Sequence, residues 1–347
     1  MTLEIAAILG IDGIANGAIY ILVAIGLVLI FTVTRVIFVP FGDIAAFTAL
    51  TLAALENRQV PGTISLVIAL AVVATLIEVV SLARAGGLHA VPRAVLFYLG
   101  LPLLVVGLVR FGIGFELPMA ARIALAILLV LPVAPLLDRI IFRPIADASV
   151  LLLLIVSVSL HFALSGLGLL FFGPEGVRTQ PLTETALDVA GILISGQTIL
   201  IVATSVIFSL GLYLFFDYTL TGKALHATAV NRVGARLMGI RPARSGAIAY
   251  ILGSLMAGTS GVLIAPVNTI FYDSGFLLGL KAFVGAIIGG LVGYPSTALG
   301  ALFVGLLESF ASFQSSAFKE VIVFSLLIPI LVWRSLASIH SEEDIEE

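Results

Sequence analysis

The chain has no cysteine, one tryptophan and four histidines, and only 11% of its 347 residues are charged. Without thiols there are no disulfides, no thiol nucleophile and no thiolate metal site. The histidines are scattered and form no HExxH pair, and no GxSxG elbow occurs, so no hydrolytic constellation is present. No basic block suggests nucleic-acid binding, and the net charge is −3. The opening MTLEI lacks a basic leader region, and no small-residue cleavage site follows its apolar run. Leu3 to Val33 is therefore expected to be a retained first span rather than a signal peptide. The shortage of charge excludes a water-soluble globule as well, because a chain that is 61% hydrophobic has too little polar surface to cover such a core.

What is present is a series of long uncharged runs: Gly13 to Thr34, Ala148 to Pro174, Val189 to Phe216 and Ser245 to Tyr272. Each exceeds the roughly 20 residues a helix needs to cross about 30 Å of hydrocarbon. Backbone amides find no water there, so these runs are helices, and none alternates as a barrel strand would. Apolar runs read against charged breaks give candidate spans near 5–33, 43–56, 62–82, 92–109, 119–137, 149–171, 193–216, 246–266, 275–293, 297–313 and 320–334. The run 43–56 is short enough to be re-entrant, and Gly293, Tyr294 and Pro295 divide one apolar region in two. The expectation is an all-α polytopic transmembrane bundle of about 10–11 spans. It occupies 1–336 as a single domain with a loop at 217–245, and an acidic tail follows at 337–347.

Lysine and arginine set the expected orientation. With Asp217 to Arg244 on the inner side, the inner loops carry eleven basic residues and the outer loops five, leaving Lys281 within a span. That bias predicts an outside N-terminus and an inside C-terminus.

Polar groups within the apolar runs are costly, about 2.5–3.5 kcal/mol for a charge at mid-bilayer, so each calls for an account. Glu78, Glu308, Asp12 and Asp43 read as structural or interfacial. Lys281 is either a packing contact or part of a pathway. His161, with Ser157 and Ser159 nearby, either bonds a neighbouring helix or lines a cavity. Gly285, Gly289 and Gly293, like Gly253, Ala257 and Gly261, recur every fourth residue and allow close helix contact on one face, for packing or along a path. The loop from Gly173 to Asp188, with Glu175, Arg178, Glu184 and Asp188, either meets a solute-binding protein or is simply solvated.

The longest cationic interruption, Asp217 to Arg244, contains Lys223, Arg232, Arg236, Arg241 and Arg244. A helix-compatible stretch runs from Thr221 to Gly239, and Pro242 stops easy continuation. Val230, Val233, Leu237 and Ile240 form an apolar stripe beside Arg232 and Arg236, giving a short amphipathic helix. On periodicity alone it lies in lipid headgroups, caps the protein's own face or is gripped by another molecule. The Gly222–Lys223 pair is no phosphate loop: Asp217 stands where glycine is needed and Ala224 where a hydroxyl would hold magnesium.

The segment GKALHATAVNRVGARLMGI, Gly222 to Ile240, resembles the coupling segment of permeases in bacterial ABC importers of the branched-chain amino acid class. GFLLGLKAFVGAIIGGLVG (Gly275 to Gly293), KEVIVFSLLIPILV (Lys319 to Val332), NGAIYILVAIGLVLIFTVTRVI (Asn16 to Ile37) and RPI (Arg143 to Ile145) are similar to other parts of that family. Together they follow the family's order over roughly three quarters of the chain. The resemblance implies a multi-pass subunit of a prokaryotic plasma (inner) membrane that moves branched-chain or related apolar amino acids inward, with urea, short amides and aromatic acids as further cargoes.

It implies as partners two cytoplasmic ATPase subunits that bind ATP and magnesium, a second permease chain (homologous or identical) and an extracytoplasmic solute-binding protein. The chain itself then carries no cofactor and no enzymatic site. Gly222, Ala229, Arg232, Ala235, Arg236 and Gly239 would form the ATPase-coupling surface, with Ala229, Ala235 and Gly239 as close-approach positions. Gly42, Asp43, Ser157, Ser159, His161 and Lys281 are the pathway candidates. The stretch 63–110 reads as an inserted helical hairpin. After the first span, the family's Asn-Phe-Ala-His-Gly-Glu is replaced here by Phe38 to Asp43, where only Gly42 and the acid at Asp43 match. An ion-coupled secondary transporter using Glu78, Asp43 or Lys281 is the rival class, and a membrane enzyme or scaffold a more distant one.

Overall fold

The apolar runs form helices over most of their length. The computed structural model describes residues 3–189, 191–291, 293–325, 328–330 and 332, so the expected acidic tail at 337–347 lies outside the described residues. In chain order the elements begin with α1 (Leu3–Thr34), α2 (Phe41–Glu56), α3 (Thr63–Arg84) and α4 (Val91–Val95). A π-helical turn, Leu96–Gly100, leads from α4 into α5 (Leu101–Ile113). Then come α6 (Met119–Val130) and α7 (Val133–Leu137), closed by a second π turn at Asp138–Phe142. After these stand α8 (Val150–Phe172), the strands β1 (Ala186–Val189) and β2 (Ile192–Ser195), and α9 (Gly196–Tyr218). The remainder is α10 (Leu220–Val230), α11 (Arg232–Leu237), α12 (Pro242–Ile264), α13 (Ser274–Gly289), α14 (Tyr294–Gln314) and α15 (Lys319–Ser325).

Among the described residues, eight helices are long and apolar enough to cross a membrane, counting Val91–Ile113 and Met119–Ile145 as one each. The protein is an all-α polytopic bundle. Two further helices, α2 and α13, have 16 residues each, about 24 Å of rise, short of a full hydrocarbon layer. A short helix is tolerated at that depth when protein rather than lipid surrounds it. α2 meets this condition, being buried from Phe41 through Ala53.

The chain divides into two compact units, one comprising Met1–Val28, Thr183–Ser209 and Leu280–Glu347, the other Leu29–Leu182 and Leu210–Gly279. In the second unit α12 lies along α2 so closely that a Cβ on Gly261 would stand 2.1 Å from the Ala45 carbonyl oxygen. Phe38 meets Phe142 and Tyr250 edge to face beside it, at ring-centroid distances of 5.7 and 5.3 Å, while the latter two rings stack at 6.5 Å. Arg139 donates to Glu78, so the span charge in α3 is paired. The helix Val91–Ile113 is only 22% buried and turns most of its surface outward.

In the first unit α14 packs on the opening turns of α1, where a Cβ on Gly305 would fall 2.2 Å from the Gly17 nitrogen. α13 and α14 form a helical hairpin in which a Cβ added to Gly285 would stand 2.6 Å from the Ala301 Cα and one added to Gly289 2.4 Å from the Thr297 Cα. The expected break falls where Tyr294 and Pro295 open α14. Gly293 belongs to that break and not to the glycine row on α13. Lys281 Nζ donates to Glu308 Oε1 at 2.6 Å, Tyr20 Oη donates to Glu308 Oε2, and Lys319 stands 3.7 Å from the same carboxylate. β1 and β2 form an antiparallel hairpin that the sequence reading lacked.

Candidate functional site

Two places in the second unit combine polar side chains with unusual packing. The first is the start of α2. Pro40 ends the connection from α1 and Asp43 occupies the first turn of α2, where a carboxylate is favoured by the helix dipole. Asp43 is 1% exposed and faces His161 from α8, with Oδ2 2.8 Å from Nδ1, a geometry in which the imidazole N–H donates to the carboxylate. The His161 ring stacks on Phe276 at 4.6 Å between centroids. One turn earlier on α8, the buried Ser157 hydroxyl accepts from the Val39 amide at 2.9 Å. Gly42 lets the backbone of α13 approach: an added Cβ would sit 1.9 Å from the Gly275 carbonyl oxygen. Asp43 Oδ1 is buried without a hydrogen-bond partner among the described residues.

This cluster unites Gly42, Asp43, Ser157 and His161, four of the six pathway candidates. Ser159 is not among them, since it is exposed and bonds back to the Ile155 carbonyl. Lys281 is bonded to Glu308 in the other unit. Of the two open readings of His161, the bond to a neighbouring helix is the one observed. An unpaired buried charge is costly, so this arrangement locks α2 to α8 strongly.

The second place is the segment between α9 and α12. The expected single helix from Thr221 to Gly239 is broken into α10 and α11 at Asn231, whose backbone is extended (φ −147°, ψ 101°). The Asn231 side chain caps α11 by accepting from the Gly234 amide at 2.8 Å, and Thr219 caps α10 through the Gly222 amide at 2.9 Å. Gly239 ends α11 with φ +81°, and the Ile240 amide bonds back to the Ala235 carbonyl at 3.0 Å. This is a Schellman ending, which glycine satisfies without strain.

Three expected coupling positions therefore serve the chain itself. Gly222 lies against the backbone of Phe215 and Phe216, Ala235 is 5% exposed within the protein, and Gly239 closes a helix. Gly222 and Ala235 are accordingly tight places in the segment's own packing. Gly239 is open to space yet conformationally constrained. Ala229 offers its carbonyl to Arg35 Nη2 at 3.3 Å. Arg232 and Arg236 line a cavity of about 760 Å3 beneath α11, together with Asp138 and Asp147.

Large apolar side chains face outward: Val230, Val233, Leu237 and Met238 are each 69–83% exposed, beside the exposed Asn231 and Arg236. Ile240 is half-buried and leaves the stripe. The segment is held from within by Arg35, by Thr228 donating to Ser245 Oγ at 3.1 Å, and by the Gly222 contact.

A family model described as branched-chain amino acid transport system / permease component matches residues 10–331. The chain belongs to this family. It is a multi-pass plasma-membrane protein. The high-affinity branched-chain amino acid transport system permease protein LivH of Salmonella typhimurium is 28% identical over 204 residues, covering 56% of this chain and 66% of that protein. The corresponding BraD of Pseudomonas aeruginosa is 28% identical over 227 residues, 63% and 73% of the two chains. The probable branched-chain amino acid transport permease LivH of Methanocaldococcus jannaschii is 31% identical over 138 residues, 39% and 44%. The aligned part thus spans just under two thirds of the Salmonella protein's length. No solved structure matches the chain.

Several features escaped sequence reasoning. The break at Asn231 was signalled by its own residue type, because asparagine is among the strongest N-caps. The Asp43–His161 pair carries no local signal, since 118 residues separate its members.

Proposed function

We propose that this permease component forms the membrane pathway of an ATP-binding-cassette importer, with a separate ATPase docking on α10 and α11 at the cytoplasmic face. The observation that carries this reading is the exposed apolar row Val230, Val233, Leu237 and Met238, on a segment fixed from behind by Arg35, Thr228 and Gly222. Large apolar side chains left open on an otherwise well-held segment mark a contact surface. Helix-in-groove binding reads such a row as its anchors. The basic surroundings support an inner-side location for this segment, by the same charge bias that predicts an outside N-terminus.

The cargo class proposed is a branched-chain or related apolar amino acid, delivered by an extracytoplasmic binding protein, with a second permease chain completing the pathway. ATP and magnesium belong to the ATPase subunits. The ion-coupled reading gains no support from its candidate residues: Glu78 is bonded to Arg139, Lys281 to Glu308 and Asp43 to His161.

The test is co-purification of the ATPase with V233E/L237E. Both side chains are exposed, so the variant is expected to insert and melt as wild type while losing the ATPase and ATP-dependent uptake. Undiminished co-purification refutes the docking surface. Uptake that stops when the ion gradient is collapsed at constant ATP refutes the energy source.

A further inference from the structure

A second surface of the same unit has no part in that reading. Between the helix Val91–Ile113, the helix Met119–Ile145 and the first turns of α12 lies a groove of about 710 Å3. This is well within the 300–1,000 Å3 typical of ligand cavities. Its walls are almost wholly apolar and include Phe97, Leu101, Leu104, Leu128 and Ile251, each of them 41–58% exposed. One wall is the helix that is only 22% buried, so the groove opens on the side that faces hydrocarbon.

One end of the groove is cationic, with Arg93, Arg143 and Arg244 all lining it. Glu78 lies in the same wall, but Arg139 already neutralises it. Arg143 is held by Tyr98 Oη at 3.4 Å and by the Ala243 carbonyl at 2.9 Å, while its Nε is buried with no partner among the described residues. A neighbouring cavity of about 540 Å3, lined by Arg84, Arg143 and the Glu78-paired Arg139, adds the Arg84 charge nearby. Both π turns border the groove: Tyr98 rides on one, and Arg143 directly follows the other. Such turns displace side chains from the regular helical register and recur at functional sites.

We propose that this groove is a binding site for an anionic phospholipid, an acyl chain lying along the apolar walls and the phosphate gripped by Arg93, Arg143 and Arg244. The charge pattern commits the occupant. A zwitterionic lipid would bring its own ammonium against three guanidinium groups, and an uncharged apolar molecule would offer them no phosphate; the carboxylate lining the groove, Glu78, is paired with Arg139, and Asp138 and Asp147 border Arg143 in the adjoining cavity. A free anion would leave the apolar walls unexplained. Basic pockets between spanning helices hold anionic headgroups by this combination. The site stands independently of the transport reading, since it needs neither cargo nor ATPase.

The test uses the full-length chain in non-ionic detergent, with native mass spectrometry after addition of phosphatidylglycerol, phosphatidylcholine or inorganic phosphate. Phosphatidylglycerol is expected to be retained preferentially. R93Q/R244Q, two exposed positions whose change leaves the fold intact, is expected to weaken it by about 25-fold, at roughly fivefold per arginine. L101W, which fills the groove without altering charge, is expected to abolish its retention. Equal retention of phosphatidylcholine, wild-type affinity in R93Q/R244Q, or displacement of the lipid by millimolar inorganic phosphate would each overturn the proposal.

Discussion

Replacing Gly42 by alanine tests the packing at the start of α2. The added Cβ would stand 1.9 Å from the Gly275 carbonyl oxygen and 2.8 Å from both the Gly275 carbonyl carbon and the Gly279 nitrogen. All three are backbone atoms, so no rotamer change relieves the clash. Real Cβ contacts essentially never fall below 3.0 Å, so the two backbones must part by at least about 1.1 Å. That movement pulls on the Asp43–His161 bond in the next residue and on the Val39–Ser157 bond three residues earlier. Overpacking costs typically about 1–3 kcal/mol and more when nothing can yield, so G42A should cost about 3 kcal/mol or more. The apparent melting temperature of the purified chain should fall by roughly 5 °C or more. G107A is the control, because nothing lies within 4 Å of a Cβ at that interior position of α5. There the helix preference of alanine over glycine should be neutral to stabilising by about 0.5–1 kcal/mol. If G42A melts with wild type, the backbone contact between α2 and α13 does not exist as described.

Two further perturbations test the buried polar pairs. H161A leaves both Asp43 oxygens buried without a partner and should cost about 3–5 kcal/mol, whereas D43N/H161Q should cost less than the sum of its single changes; thermal melts of the full double-mutant cycle check this, and strict additivity would contradict the pairing. K281M should cost about 3 kcal/mol, the low end of the same range, because Glu308 keeps the Tyr20 hydroxyl and has Lys319 at 3.7 Å. On the transport reading its uptake per folded molecule stays at the wild-type level. Uptake that loses ion dependence while the fold stays intact would instead make Lys281 a coupling residue.

The all-helical bundle was legible because its signal is local: uncharged runs longer than a bilayer is thick leave the backbone one way to satisfy itself. The break at Tyr294 and Pro295 was legible for the same reason, proline being barred from a helix interior. What escaped depends on partners distant in sequence. Glu78, Lys281 and Asp43 were each recognisable as costly, yet Arg139, Glu308 and His161 lie 61, 27 and 118 residues away. The segment between α9 and α12 shows a subtler failure. Its apolar periodicity was real, but an asparagine able to cap a new helix outweighed continuation of the old one. Small residues carry a signal that the sequence leaves open: Ala235 reads as a close-approach position for another molecule, and it lies 5% exposed within the protein.

The break at Asn231 bears on how a docked partner would move the spans. A single long helix would carry its exposed row at the end of a lever, free to swing without disturbing anything behind it. In the observed segment α10 is instead pinned at two points, through Thr228 to Ser245 at the start of α12 and through Ala229 to Arg35 just past α1, and α11 follows it directly at the Asn231 cap. Arg35 holds its place with φ +65°, a conformation costing about 1–2 kcal/mol for a residue with a Cβ. That strain persists only because the surroundings over-determine it. A load applied at Val233 and Leu237 therefore has two short routes inward, one to each helix. R35G would relieve the strain while cutting one route, so it should leave stability nearly unchanged. On the docking reading, it should also keep the ATPase bound while uncoupling ATP hydrolysis from uptake. Loss of the ATPase in R35G would mean that this arginine positions the surface and does not transmit load from it.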